Sequence, residues 1–104
     1  MNKDITPARA IRLQPADTVA VLIQKARAGE SIFVSGPGNT LSVTATRDIP
    51  CYHKIALTDC SLDQALIRNA IPIGVAIAPI SAGDWVHIHN LKSTYTHQPN
   101  GTDR

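Results

Sequence analysis

Residues 71–91 have the sequence IPIGVAIAPISAGDWVHIHNL, an apolar run that passes directly into a polar one. The apolar part is interrupted by Pro72, Gly74 and Pro79. Because proline cannot donate a hydrogen bond to a sheet, a run of this kind is typical of an edge strand or a bulged strand. The first half of the stretch therefore predicts a short, irregular strand.

The second half carries the only tryptophan of the chain and two histidines spaced two residues apart. In a strand, residues i and i+2 face the same way. The spacing therefore predicts that Trp85, His87 and His89 share one face. Val86 and Ile88 take the opposite face, which suits the core. From spacing alone, the polar face fits either a functional wall or an ordinary hydrogen-bonded surface, and Trp85 fits edge packing equally well.

Several segments upstream also have strand patterns. They are residues 10–13, 17–23, 31–35, 40–46 and 54–57. In the second of these, Val19, Val21 and Ile23 alternate and predict one face of a strand, although residues 21–28 also fit a helix. Residues 59–70 fit either a helical turn capped by Ser61 or a loop followed by a strand.

Many short strands separated by Gly and Pro turns predict an all-β fold, a small barrel or clip with little helix. At 104 residues the chain is expected to form one domain. We predict an N-terminal arm at residues 1–9, the β domain at 10–91 and a flexible polar tail at 92–104.

Charge and hydropathy exclude several classes of function. Ten basic and eight acidic residues give a net charge of +2, with no basic stripe, so neither nucleic acid nor an anionic membrane is an expected partner. No apolar run approaches the roughly 20 residues of a membrane helix. The first residues lack the apolar core of a signal peptide. We expect a cytoplasmic protein, in which Cys51 and Cys60 stay free.

Two imidazoles on one strand face can reach a single metal ion, since neutral imidazole is a common ligand for iron, zinc and manganese. His87 and His89 are the candidate metal ligands, and a third ligand is needed. His53 is a candidate third ligand, whereas His97 lies in the predicted tail and is a poor one.

His53 and Lys54 form the second candidate, directly after a proline turn. In extended chain they point to opposite sides. A lysine held near apolar strands can act as a base, although the same residue also fits an ordinary surface lysine.

Three segments together resemble one family: DTVAVLI from residue 17, IPCYHKIAL from residue 49, and the stretch at 71–91. In this order and spacing they are similar to the SAF (β-clip) domain of the altronate/galactarate dehydratase family, in its small-subunit form. The small subunit of sulfolactate sulfo-lyase is a close relative. The most specific parts are the pair His53-Lys54 and the closing motif at residues 83–91.

The resemblance implies a β-clip fold and a subunit of a lyase that eliminates water from a sugar acid such as altronate or galactarate. It implies iron dependence, with Fe²⁺ completed by a separate large catalytic subunit, so the chain alone is expected to be inactive. Matched by position, the catalytic candidates are His53, Lys54, His87 and His89. The predicted substrate contacts are Asn90, Trp85 and Arg68.

Two departures from the family pattern put the substrate in question. The family usually has Gly before the His-Lys pair, where this chain has Tyr52, and a bulky residue there disfavours a positive φ. The family also has a Lys-Tyr-Gly run where this chain has residues 68–70, Arg-Asn-Ala.

Two alternatives stay open. One is the small subunit of a sulfolactate sulfo-lyase, which shares fold and motifs. The other is a non-catalytic ligand-binding module that self-associates into a homo-oligomer through the histidine face.

Overall fold

The computed structural model describes residues 9–93, and in this part of the chain every regular element is a strand. The strands are β1 (Arg9–Ile11), β2 (Val19–Leu22), β3 (Ser31–Ser35), β4 (Leu41–Thr44), β5 (Lys54–Ala56), β6 (Ala65–Arg68), β7 (Ile71–Ala76), β8 (Trp85–Val86) and β9 (Leu91–Ser93). The predicted all-β fold of short strands is confirmed. The helix considered for residues 21–28 does not form, and Ser61 closes a turn with Gln64 instead of capping a helix.

The strands form two sheets. The large sheet has the order β4-β3-β1-β2-β5-β8, and the small sheet has the order β6-β7-β9. All neighbours are antiparallel except β1 and β3, which run parallel. The edge strand β8 pairs with β5, and this pairing positions the candidate site.

Two apolar clusters form the core, and β2 contributes to both. Ala20 and Leu22 pack in the cluster of the large sheet, whereas Val19 packs against the small sheet. The strand predicted from the alternation of Val19, Val21 and Ile23 is confirmed as β2, although Ile23, just after its end, is 39% exposed. One end of β2 is covered on both sides, so burial there does not follow simple alternation.

The apolar run predicted as an edge or bulged strand is β7, and it is bulged but central. Its partner β6 shifts register between Leu66 and Ile67, close to the pairing of Ile67 with Pro72. On its other side, β7 pairs with β9 only from Gly74 onwards, so Pro72 has a partner on one side alone. A Cβ at Gly74 would lie 2.3 Å from the carbonyl oxygen of Lys92, so this close approach requires glycine.

The ordered strands reach slightly beyond the predicted domain at both ends. Arg9 belongs to β1, and Lys92 and Ser93 belong to β9. The predictions of an arm and a tail otherwise fall on residues 1–8 and 94–104, which lie outside the described residues. Within residues 9–93, no helix is long and apolar enough to cross a membrane.

Candidate functional site

The predicted strand around the two histidines is short and ends early. β8 covers only Trp85 and Val86, and the chain then turns over residues 87–90. Val86 is buried as predicted, but Ile88 is 79% exposed, so its predicted place in the core is wrong. Strand alternation fails here because the chain leaves the sheet directly after Val86.

Asn90 closes this turn and is itself buried. Its Nδ2 donates to the carbonyl of Trp85 at 2.8 Å, and its Oδ1 accepts from the backbone N–H of His87 at 2.9 Å. The backbone N–H of Asn90 also donates to the carbonyl of His87. Both ends of the amide therefore hold the turn. A substrate contact by Asn90 stays a prediction, and the structure gives this residue a positioning role.

Trp85 lies at the centre of a group of rings that we call the histidine cluster: His53, Trp85, His87 and His89. The ring of His87 stacks on Trp85 at 5.3 Å between centroids and 13° between planes. His89 meets the same indole edge-on at 5.6 Å. Trp85, His87 and His89 are thus brought together as the sequence predicted, but by a turn instead of a strand face.

The pairing of β5 with β8 brings His53 into the cluster. Lys54 pairs with Val86, so the same register continued by one residue sets His53 opposite His87. The two imidazole centroids lie 5.0 Å apart. Trp85 Nε1 donates a hydrogen bond to His53 Nδ1 at 3.1 Å across 32 residues of sequence.

The corner that precedes His53 keeps a left-handed backbone. Tyr52 has φ +68°, and its side chain is 76% exposed. Its N–H donates to the carbonyl of Leu22, and the N–H of Leu22 donates to the carbonyl of His53. The expectation that tyrosine disfavours a positive φ here is overruled by these backbone bonds, which hold the corner in place.

Lys54 lies outside the contacts of the cluster. It is half-buried in β5, between Val21 on one side and Val86 on the other. None of the side-chain contacts within residues 9–93 joins its amine to the four rings. Its predicted role as a base stays a prediction.

Arg68 lies at the end of β6 in the small sheet, at the hairpin that leads into β7. Its Nε is buried and has no hydrogen-bond partner among the described residues. No contact among residues 9–93 connects it to the histidine cluster. The structure therefore does not bring Arg68 together with the other predicted substrate contacts.

The hairpin after Arg68 is held by Asp17, whose carboxylate is buried. The carboxylate accepts from the backbone N–H groups of Asn69 at 2.8 Å, Ala70 at 2.9 Å and Gln14 at 3.1 Å. Burial acts to raise the pKa of Asp17, but the hydrogen bonds from Ala70, Asn69 and Gln14 outweigh it and hold that pKa below its ordinary value.

The sequence analysis missed the basic groups around Trp85. The Arg47 guanidinium lies 5.8 Å from the centroid of the indole, within reach of a cation–π interaction. Trp85 also separates two open clefts of about 430 and 400 Å³. The charged and imidazole groups that line the first are Lys25, Arg27 and Asp48, and those that line the second are Arg47, Asp84 and His89. Lys25 and Arg27 lie before β3, whereas Arg47 lies after β4. Only the fold brings these residues to the indole, so no sequence spacing could have predicted the group.

Residues 9–93 do not by themselves form a complete iron site. Within residues 9–93, no three His, Cys, Asp or Glu side chains lie close enough together to hold one metal ion. The candidate third ligand, His53, accepts the Trp85 N–H on Nδ1, so its other nitrogen carries the proton when the ring is neutral. His87 and His89 are left as two candidate ligands without a third in the described part of the chain.

Two sheets of short strands, with a ring cluster where β5 meets the end of β8, define a β-clip domain with a candidate site at its edge. The chain belongs to the family described as the altronate/galactarate dehydratase SAF domain, whose model matches residues 8–94.

Curated proteins similar to this chain fall into two groups. The altronate dehydratase of Escherichia coli is 33% identical over 89% of this chain, which spans only 19% of that protein. The (2R)-sulfolactate sulfo-lyase subunit alpha of Chromohalobacter salexigens is 31% identical over 70% of this chain and 80% of its own length. That of Paracoccus pantotrophus is 32% identical over 58% of this chain and 90% of its own length. These relatives are lyases, and this chain spans about a fifth of the dehydratase.

Proposed function

We propose that this chain is the small subunit of a lyase that eliminates water from a sugar acid of the altronate or galactarate type. The observation that carries the proposal is the histidine cluster, in which the two most specific family motifs meet through the Trp85–His53 hydrogen bond. Membership of the dehydratase SAF family supplies the reaction class.

The cluster also supports an active site shared with another chain. It lies at the open edge strand β8, beside two clefts that are open to solvent. Elimination next to a carboxylate needs a base and a group that stabilises the developing negative charge. The cluster and the cationic side chains near Trp85 suit the second need, and the rest of the pocket would come from a large catalytic subunit.

Fe²⁺ is the proposed metal of the assembled enzyme, where it would stabilise charge on the substrate oxygens. His87 and His89 are the side chains of this chain that would contact it. Since the described residues supply no third ligand, the others would come from the large subunit.

The test is co-expression with a candidate large subunit of the same family, followed by an assay of 2-keto acid formation from altronate and galactarate. We expect a stable complex with iron-dependent activity that neither chain shows alone. The variants His87→Ala and His89→Ala should lower kcat by about 10²-fold or more, as expected for groups acting on the transition state. The control Gln64→Ala changes an exposed turn outside the cluster and should leave kcat unchanged. An active complex that tolerates both histidine variants would contradict the assignment of the site.

A carbon–sulfur lyase acting on sulfolactate is the second candidate. The observation that favours it is that this chain aligns with most of the length of a protein named sulfo-lyase subunit alpha. The same complex assayed with sulfolactate distinguishes the two, because release of sulfite would assign the sulfo-lyase reaction. A homo-oligomer that binds neither iron nor a large subunit would instead favour the non-catalytic module.

A further inference from the structure

The hydrogen bond between Trp85 and His53 determines where the proton of neutral His53 is found. An indole N–H is a donor only, so the nitrogen that it contacts must offer a lone pair. Trp85 Nε1 contacts His53 Nδ1 at 3.1 Å, and the two rings meet edge-on at 73°. In the neutral ring, the single proton is therefore assigned to Nε2.

The second nitrogen of His53 is open to other molecules. The imidazole is half-buried, and Nε2 is not among the buried, unpartnered side-chain atoms of residues 9–93. A neutral imidazole with its proton on Nε2 offers a donor at that position and no lone pair. It can neither take a proton there nor ligate a metal ion there.

We propose that Trp85 is a positioning residue that fixes His53 as a hydrogen-bond donor for an anionic oxygen, such as a substrate carboxylate. The tautomer follows from the contact itself, whereas the role toward a substrate rests on the proposed lyase function. His53 is thereby excluded as a base and as a metal ligand. The remaining candidates for these roles are His87, His89, Lys54 and residues of the large subunit.

The surroundings of Trp85 match an anionic ligand. The guanidinium of Arg47 lies over the indole at 5.8 Å, and a guanidinium has donors and no acceptor. Lys25 and Arg27 line the cleft on one side of Trp85, where they outnumber its one carboxylate, Asp48. A donor on His53 Nε2 adds to this set of donors.

The tautomer is tested on the full-length chain by ¹⁵N NMR of its histidine rings, at about pH 9 where histidines are neutral. We expect His53 to show a protonated Nε2 and an unprotonated Nδ1. In Trp85→Phe, which keeps a ring for His87 to stack on but removes the donor, the two His53 nitrogen shifts should move towards each other as the tautomers exchange. Phe33→Leu, a change of a partly exposed aromatic residue outside the cluster, should leave them unmoved. A protonated Nδ1 in the unmodified chain overturns the proposal, as does a Trp85→Phe spectrum without change.

The donor role is tested in the complex with the large subunit, by comparing His53→Gln with His53→Ala. Glutamine places an N–H donor near the position of Nε2 but cannot act as a base. We expect KM for galactarate to rise about tenfold or more in His53→Ala and to stay within about threefold in His53→Gln, since only the alanine variant loses the hydrogen bond to a charged group. Equal losses of kcat of about 10²-fold or more in both variants would identify His53 as a base and overturn the proposal.

The donor role of His53 can still be tested if the lyase assignment fails. If the complex shows no elimination with any substrate, the Kd of galactarate measured by calorimetry in the same variants replaces KM. The same order, with Gln close to the unmodified protein and Ala weak, supports the donor role. Equal Kd values in all three proteins overturn it, while the NMR result still decides the tautomer.

Discussion

Within residues 9–93, three turns have non-glycine residues in the left-handed region, one of them at Asp63, and the other two are held in opposite ways. One is the corner at Tyr52, with φ +68°, and the other is the hairpin at Asn69 and Ala70, with φ +56° and +63°. Both turns therefore adopt a backbone conformation that glycine takes most easily, with residues that carry a Cβ.

At the hairpin, a buried side chain holds the backbone. The Asp17 carboxylate accepts from the N–H groups of both turn residues, and two successive left-handed residues suit a tight two-residue hairpin loop. At the corner, backbone bonds to Leu22 hold the chain and direct the next side chain, His53, to Trp85. The comparison indicates that the hairpin belongs to the scaffold, whereas the corner belongs to the candidate site.

The largest expected effect is at the scaffold turn. Asp17→Ala leaves three backbone N–H groups without their acceptor, so we expect the free energy of unfolding to fall by about 3 kcal/mol in urea denaturation. The control Asp59→Ala removes a carboxylate that accepts one exposed N–H, from Ala82, and should lower it by about 1 kcal/mol or less. Equal losses in the two variants would remove the distinction between a buried scaffold carboxylate and an ordinary turn carboxylate.

The second-largest effect is expected at the turn that carries His87 and His89. Asn90→Ala removes two side-chain hydrogen bonds from a buried position and should lower the free energy of unfolding by about 2 kcal/mol. It should also change the NMR signals of His87 and His89. Gln64→Ala removes an exposed amide that closes a similar turn through Ser61 and should change stability by about 0.5 kcal/mol. Unchanged His87 and His89 signals in Asn90→Ala would show that Asn90 does not position them.

Glycine in place of Tyr52 or Ala70 should stabilise the fold. Because the left-handed region is strained for residues with a Cβ, Ala70→Gly and Tyr52→Gly should each raise the free energy of unfolding by about 1 kcal/mol. Ala65→Gly, in strand β6, should lower it by about 0.5–1 kcal/mol. Loss of stability in Tyr52→Gly alone would mean that its exposed ring makes contacts that matter for the fold.

The smallest expected effect is that of acid on the hairpin held by Asp17. The pKa of Asp17 is lowered in the folded chain, so its stabilisation is fully present above the unfolded pKa and is lost as pH falls through the folded one. At pH 3.8, the ordinary value of this pKa, the stabilisation by Asp17 has fallen by at most RT ln 2, about 0.4 kcal/mol, relative to pH 7. The difference in stability between the unmodified chain and Asp17→Asn, followed from pH 7 to 3.8, should shrink, by no more than this amount. A difference that grows towards acid would contradict the direction of the pKa shift.

Sequence patterns predicted the strands well where only local alternation was needed. The segment 31–35 matches β3, and Leu41, Val43 and Ala45 share the inner face of β4 and the residue after it. The same reasoning failed at Ile88 because alternation cannot detect that the strand ends at Val86 and is followed by a turn that Asn90 closes. At residues 17–23 the alternation correctly predicted the strand β2, although burial along β2 depends on which strands flank it.

The sequence by itself determined the all-β class, the family and the residues that could carry chemistry, because strand periodicity and motif spacing are local properties of the chain. Tertiary structure alone decided that His53 meets Trp85 32 residues away, and that Arg68 does not join them. These contacts depend on the register of β5 against β8 and on hydrogen bonds that no spacing rule contains. The proton on His53 is in turn determined by a donor on another strand.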